Sequence, residues 1–492
     1  MTKSKAVIGV QKEHGHWRQL MHPSKQNTFC WYPFTMLALK EWNAQQGIIN
    51  ASPCCNSIRP ETPDPLGIKQ KLKQNPHTMM PEEIFYGEEM ESIRQAMREG
   101  RRHSACDTCW RIEDRQDTDD QSSRSYRMQS VPSGFLIDYD KSQSLIDNPK
   151  LSSIDFAFGE NCNLRCRMCT PGLSNKLRID YKYFVDNDVD TDGIEGFDYE
   201  KEWPNTSKEK RYKYNSYLHP DASTQVHNWS DAAQWQNILD NMHTINHIKA
   251  TGGETLLSKP FIEFLDSAIE RGFANKIMLE FHTNATKFTN DIISKLLQFE
   301  GLHFNLSIDS LGKNYEYIRY PMLWNKLDAS LRNLLNKLEG NRSPRDFDKP
   351  FEHRDKIVKN FSFNIVLSAL NAHYLPDLFK YQQELLKQYN SYQYSVFYID
   401  LLWPENKYIN VKFLSTAIKQ ELIDLYTNMS STEMDCHTEV AIDFLRQHID
   451  YQPTEQDRLN MLKEITVFDK SRNQSYNNYL HPSIVEFLET PL

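Results

Sequence analysis

The chain has 492 residues, 39% of them hydrophobic and 25% charged, with a formal charge of -9 at neutral pH. This is the composition of an ordinary globular protein with material for a large core, and its acidic balance argues against a nucleic-acid-wrapping surface. No apolar run reaches the length of a signal peptide or a membrane span, so the expectation is a cytoplasmic protein whose nine cysteines stay reduced and serve as ligands rather than disulfides.

Five of the nine cysteines fall in the first region, residues 1–149: Cys30, Cys54, Cys55, Cys106 and Cys109. Cys54 and Cys55 are neighbours whose side chains would point opposite ways on an extended segment, so one of them faces a shared metal easily and the other does not. The pattern predicts a helix from Pro81 to Gly100, with Met90, Ile93 and Met97 on one face and Gly100 at the C′ position. Cys106 and Cys109 follow directly. The intervening Arg101-Arg102-His103 reads as a solvated face.

The segment from Ile154 to Phe158 reads as a short buried strand, and Cys162, Cys166 and Cys169 follow on the loop that leaves it. Three thiolates so spaced can converge on one side of a compact metal centre, and soft sulfur selects iron–sulfur clusters or zinc. Structural zinc takes four ligands and a [4Fe–4S] cube has four irons, so three cysteines leave one position for a substrate or cofactor. The alternative is a zinc site with a distant fourth ligand.

Residues 171–229 form a polar insertion in which Asp188, Asp190, Asp192 and Gly193 partly match a calcium loop, but Tyr199 stands where a bidentate Glu is required. A solvated acidic loop is the reading there. Beyond it, apolar runs alternate with amphipathic patterns, which predicts βα units on a parallel sheet. Ser230 caps a helix carrying Trp235, Ile238, Leu239 and Met242. A strand from Ile245 to Ala250 exits through Thr251-Gly252-Gly253-Glu254 into a helix that starts at Pro260 and ends at Gly272. Paired glycines at a strand exit let backbone approach a ligand closely. Further strands are predicted over Lys276–Phe281, Leu302–Leu306, Phe363–Leu367 and Tyr394–Leu402, the last placing Tyr398 and Asp400 on one face as candidates for substrate contact; no catalytic acid or base is assigned. From Phe413 onward the chain reads as helices, with Cys436 as a free thiol.

The cysteine triplet, followed one strand-and-helix unit later by Gly252-Gly253-Glu254, resembles the radical S-adenosylmethionine (SAM) enzymes. That resemblance implies a partial (β/α)6 barrel over residues 150–410, in which Cys162, Cys166 and Cys169 hold a [4Fe–4S] cluster whose remaining iron binds SAM. It further implies cofactor contacts from Gly252, Gly253 and Glu254 to the methionine amino group, from Ser307 and Asp309 to the ribose, and from Arg319 to the carboxylate. Met168 stands where many members carry an aromatic residue against the adenine.

The N-terminal cysteines, with Cys30-Trp-Tyr-Pro-Phe, Gly47, and Cys106-Asp-Thr-Cys109-Trp-Arg-Ile-Glu113 before Ser123-Arg124, resemble the auxiliary-cluster module called twitch, a relative of the SPASM extension. Here the module precedes the core, as in a subgroup of uncharacterised bacterial and phage proteins, and the gap between Gly47 and Cys54 is longer than usual. By this resemblance Cys30, Cys54, Cys106 and Cys109 hold a second [4Fe–4S] cluster, with Cys55 as the competitor for Cys54; structural zinc is the alternative. A helical extension over 411–492 completes the chain. The resemblance implies a flavodoxin- or ferredoxin-type electron donor, and a peptide or protein side chain as substrate, or else a small carbohydrate-like molecule undergoing dehydrogenation. The competing class is a non-enzymatic, zinc-stabilised binding protein.

Overall fold

Parallel strands are joined by crossovers that lay helices on the sheet, and the apolar alternation of these strands dictates which face the helices cover. A computed structural model describes residues 28–43, 48–54, 81–114, 124, 146–171, 173–191, 233–339, 359–389, 397–402, 407–430 and 436–491. The strands are β1 (Met36–Asn43), β2 (Ile48–Ser52), β3 (Ser153–Ala157), β4 (His247–Thr251), β5 (Met278–Thr283), β6 (Gly301–Ser307), β7 (Lys359–Leu367), β8 (Phe397–Leu401) and β9 (Cys436–His437). They form one sheet in the order β2-β1-β3-β4-β5-β6-β7-β8-β9. Only the β1–β2 pairing is antiparallel; every other neighbouring pair runs parallel. The fold is therefore mixed α/β, as the alternation predicts.

The helices are α1 (Tyr32–Thr35), α2 (Pro81–Phe85), α3 (Glu88–Arg98), α4 (Asp107–Glu113), α5 (Arg178–Asp186), α6 (Ala233–Asp240), α7 (Lys259–Glu270) and α8 (Asn290–Leu296). They continue with α9 (Gly312–Ile318), α10 (Trp324–Glu339), α11 (Leu375–Gln388), α12 (Thr416–Ser430), α13 (Glu439–Gln447), α14 (Glu455–Arg472) and α15 (Pro482–Glu489). Among the described residues no helix is long and apolar enough to cross a membrane.

Phe156, Ala250, Phe281, Phe304 and Ile365 all point to one side of the sheet and are fully buried in a single core with Phe261 and Leu265 of α7, Leu331 of α10 and Leu378 of α11. Burying each large side chain contributes roughly 1.5–3 kcal/mol before entropy is counted, so this layer fixes strand register. The opposite face carries the intervening residues: His247 and Lys249, Glu280 and His282, His303 and Asn305, Asn364, and Asp400, all partly accessible. Polar side chains on a sheet face are costly unless they meet water, one another or a ligand.

Several expectations shift. The hairpin β1–β2 escapes the sequence reading because Met36-Leu37-Ala38-Leu39 is apolar throughout, without a period-two pattern; it adds the N-terminal region to the same sheet as β3. The helix expected over Pro81–Gly100 breaks at Gly87, where a Cβ would lie 2.9 Å from the Glu83 carbonyl oxygen, while Gly100 does take a positive φ of 72°. Strands β4 and β5 run later than predicted, to Thr251 and Thr283. Leu402, predicted within the last strand, lies past the end of β8 and is buried in the core. Cys55, Gly47, Ser123, Ser230, Asp192, Gly193, Tyr199 and most of the insertion lie outside the described residues, as does the side chain of Cys436.

Candidate functional site

The carboxyl ends of β3 and β4 are joined backbone to backbone. Phe158 N–H donates to the Thr251 carbonyl at 2.9 Å, Gly253 N–H to Gly159 at 2.8 Å and Glu254 N–H to Asn161 at 2.7 Å. At Gly252, with φ of +103°, a Cβ would stand 2.7 Å from the Gly159 oxygen; at Gly253 it would stand 2.1 Å from the Asn161 oxygen. Neither position accepts a side chain, so the paired glycines dock the start of the cysteine loop.

On that loop Cys162, Cys166 and the half-buried Cys169 gather in one cluster with Leu164 and Met322. Two N–H donors from outside the loop, one just past α9 and one just past β5, reach the sulfurs: Arg319 Nη1 lies 3.7 Å from Cys166 Sγ and Asn284 Nδ2 3.8 Å from Cys162 Sγ. Burial, and then the neighbouring Cys166, push the Cys162 thiol up to about 11. A hydrogen bond shared between Cys166 and Cys169 raises the first and lowers the second, and the Arg319 charge pulls both down. Among the described residues no three Cys, His, Asp or Glu side chains close around the position of a single metal ion. N–H donors aimed at sulfur favour thiolate and tune a sulfur-ligated centre.

The surrounding residues are held by one another. Glu254 is buried; its carboxylate accepts from Thr283 Oγ1 and Asn284 N–H, each at 2.6 Å, and from Leu256 N–H at 3.2 Å. Burial nonetheless raises its pKa. Asp309, wholly buried, accepts from Arg319 Nε at 2.5 Å and from Val366 N–H at 2.9 Å. Burial opposes the charge on Arg319, but Asp309 and Cys166 together hold it protonated. Ser307, at the end of β6, stands in register with Asn364 on the polar face. Met168 packs into the main apolar core at 7% exposure. Tyr315 is fully buried, yet its hydroxyl has no hydrogen-bond partner among the described residues; Arg319, Cys166, Asp309 and Glu254 are the charged or ionisable groups that face it.

No protein-family model matches the chain, and no curated protein does. Among solved structures, Streptococcus suis SuiB bound to S-adenosylmethionine matches at a TM-score of 0.31 and 11% identity, over 71% of this chain and 62% of that one. SuiB bound to the precursor peptide SuiA matches at 0.30 and 11%, over 80% and 69%. The chain thus spans 62% of the length of the SAM-bound SuiB structure, and so remote a likeness assigns no residue a role.

A second set of thiols gathers in the N-terminal region. Burial raises Cys106 well above an ordinary thiol, and Cys54, Cys30 and Cys109 raise it further while Arg124 opposes them. Arg124 pairs with Glu113, donates to the Phe29 carbonyl at 3.0 Å and lies over the Trp110 ring. The basic run pairs outward, Arg101 with Glu99 and Arg102 with Asp114, as a solvated face should.

On the polar sheet face Ser153 Oγ meets His247 Nδ1 at 2.7 Å, and His247 and Lys249 each stand 3.6 Å from Glu280. Although burial raises it, Glu280 is held well below the usual carboxylate range, chiefly by Lys249. Burial raises Asp400 to about 6 against hydrogen bonds from Asn364 and Tyr398. The sequence pattern singles out neither Tyr315 nor Lys249. A strand-exit His282-Thr-Asn284 was legible as a motif, but Tyr315 carried no signal apart from its place four residues before Arg319.

Proposed function

We propose that this chain is a radical SAM enzyme, with a [4Fe–4S] cluster on Cys162, Cys166 and Cys169 and a second on Cys30, Cys54, Cys106 and Cys109. The observation that carries the reading is the docking of the triplet loop onto Gly252-Gly253, with Arg319 and Asn284 aimed at two of its sulfurs. The unpartnered hydroxyl of Tyr315, buried among the same groups, fits a ligand that fills the space they share. When bound, the cluster and SAM supply a 5′-deoxyadenosyl radical by one-electron cleavage of the sulfonium, and this radical removes a hydrogen atom from an unactivated carbon.

The chain's own residues would then position. Gly252, Gly253 and Glu254 would hold the methionine end of SAM, the Glu254 carboxylate matching its ammonium in charge. Arg319, oriented by Asp309, would pair with the carboxylate, and Ser307 and Asp309 would serve the ribose and Met168 the adenine. The polar face of β4–β8 would receive the substrate, with Asp400 as its proton acceptor. A peptide or protein side chain is the first substrate class; the density of hydroxyl-, amide- and charge-bearing groups on that face keeps a small polyol as the second. A flavodoxin- or ferredoxin-type protein would deliver the electron.

Anaerobic reconstitution with iron and sulfide tests the reading. About eight irons per chain and dithionite-dependent release of 5′-deoxyadenosine from SAM are expected. Colourless protein holding two zinc ions and inert toward SAM would replace it with the zinc-stabilised binding protein.

A further inference from the structure

The two residues that flank Cys166 are arginines, and α14 in the C-terminal region holds Arg167 directly and Arg165 through Asp180 of α5. Arg167, 2% exposed, lays its guanidinium 3.6 Å over the Tyr317 ring and donates to the Tyr317 carbonyl at 3.1 Å, the Ile465 carbonyl at 3.2 Å, Asp469 Oδ1 at 2.5 Å and Gln474 Oε1 at 3.1 Å. Arg165 donates to Asp180 at 3.1 Å, and the same wholly buried carboxylate accepts from Ser471 at 2.6 Å and from Arg472 at 3.0 Å and 3.2 Å. Lys407, paired with Glu464 of α14 at 3.8 Å, donates to the Arg167 carbonyl at 2.9 Å.

Asp469 has a second attachment. Its Oδ1 also accepts from the Tyr317 hydroxyl at 2.8 Å, and its Oδ2 from Tyr476 N–H at 2.8 Å. Tyr317 lies two residues before Arg319, whose guanidinium touches Cys166 and Asp309. The triplet loop in turn pairs with this stretch along the backbone, Arg167 N–H to Ile318 at 3.0 Å and Arg165 N–H to Tyr320 at 2.7 Å. One carboxylate on α14 therefore fixes the thiol loop and the arginine that faces it in a common frame. An Arg–carboxylate contact of this kind fixes direction as well as distance, and losing one partner leaves the other charge buried without compensation.

We infer that Asp469 is a positioning residue of the cofactor site, setting Cys166 against Arg319, and that α14 belongs to that site rather than to an appended tail. The inference rests on Cys162, Cys166 and Cys169 being the cluster ligands. Asp469→Asn keeps the shape and removes the charge; Asp469→Glu restores the charge on a longer arm.

In the full chain reconstituted anaerobically, Asp469→Asn is expected to lose about half the bound iron, or to keep it while losing the change that SAM induces in the electron paramagnetic resonance spectrum of the reduced protein. The signal from the second thiol set and the circular dichroism should be unchanged, and Asp469→Glu should recover the SAM response in part. In the metal-free chain, alkylation of Cys166 by iodoacetamide under native conditions should be about tenfold faster in Asp469→Asn than in wild type, since Cys166 reacts only when the loop opens. Full iron with an unaltered SAM response, together with wild-type alkylation, would overturn the inference. Wild-type protein that takes up no iron would overturn the proposed function instead, and the alkylation rates would still decide the role of Asp469.

Discussion

Tyr315 shows how much one atom can carry. A buried hydroxyl without a partner costs about 1–3 kcal/mol, so a ligand that accepts its hydrogen bond gains much of that back. Tyr315→Phe, which removes only the oxygen, should weaken SAM binding by about tenfold in equilibrium dialysis and leave iron content at the wild-type value. Two titrating residues on the sheet face give opposite signatures. His282 is held down to about 4 by burial and Lys249, so between that pH and 6.5 the unfolded chain binds a proton that the folded one refuses, and stability rises with pH. Asp400 is raised to about 6 from 3.8, so the folded chain keeps a proton over that range and stability falls as pH rises. His282→Gln should therefore raise the melting temperature of the metal-free chain more at pH 5 than at pH 7, and Asp400→Asn more at pH 7 than at pH 5, each by about 1–2 °C in a thermal scan. The three clustered thiols and the two glycines were legible in the sequence because their spacing is local. The contact of Asn284 with Cys162 and that of Asp469 with Arg167 were not, since these partners lie 122 and 302 residues apart and leave no local pattern, and nothing local marks the unpartnered hydroxyl of Tyr315.

At the scale of the element, the joint between the β3 exit and the β4 exit is the one with least tolerance. Gly253→Ala would place a methyl 2.1 Å from the Asn161 oxygen, and since that oxygen is backbone the loop itself must move. We expect a loss of about 2–4 kcal/mol of stability and of the triplet's share of bound iron, measured by denaturant midpoint and iron analysis, with the second thiol set still loaded. Pro260 in the first turn of α7, Gly100 after α3 and the strand–helix alternation made these elements readable, because each rests on a local backbone constraint. The break between α2 and α3 was hidden because Met90, Ile93 and Met97 alone satisfy the helical period, while Gly87 marks the break only through its approach to Glu83 and Ile84.

For the molecule as a whole, the consequence lies in how the hairpin is attached. Double replacement Cys106→Ala and Cys109→Ala should halve the bound iron while leaving a single turnover of 5′-deoxyadenosine release near the wild-type amount, measured by chromatography of a dithionite-quenched reaction. The register explains why the two sets are separable. Ser52 pairs with Ala38, which pairs with Asp155, and since β2 runs antiparallel its continuation to Cys54 heads toward the amino-terminal edge of β3. Cys162 follows the opposite, carboxyl-terminal edge. Five residues of strand at about 3.3 Å each separate the two edges, so the two sulfur nests lie on the order of 15 Å apart along the strand direction. In the proposed enzyme a small molecule undergoing hydrogen abstraction at one end would not reach a metal at the other. In the proposed enzyme an electron would cross that span, and the sheet would serve as an insulating board with a terminal on each rim: one rim for making and breaking C–H bonds, the other for taking away the charge that this chemistry leaves behind.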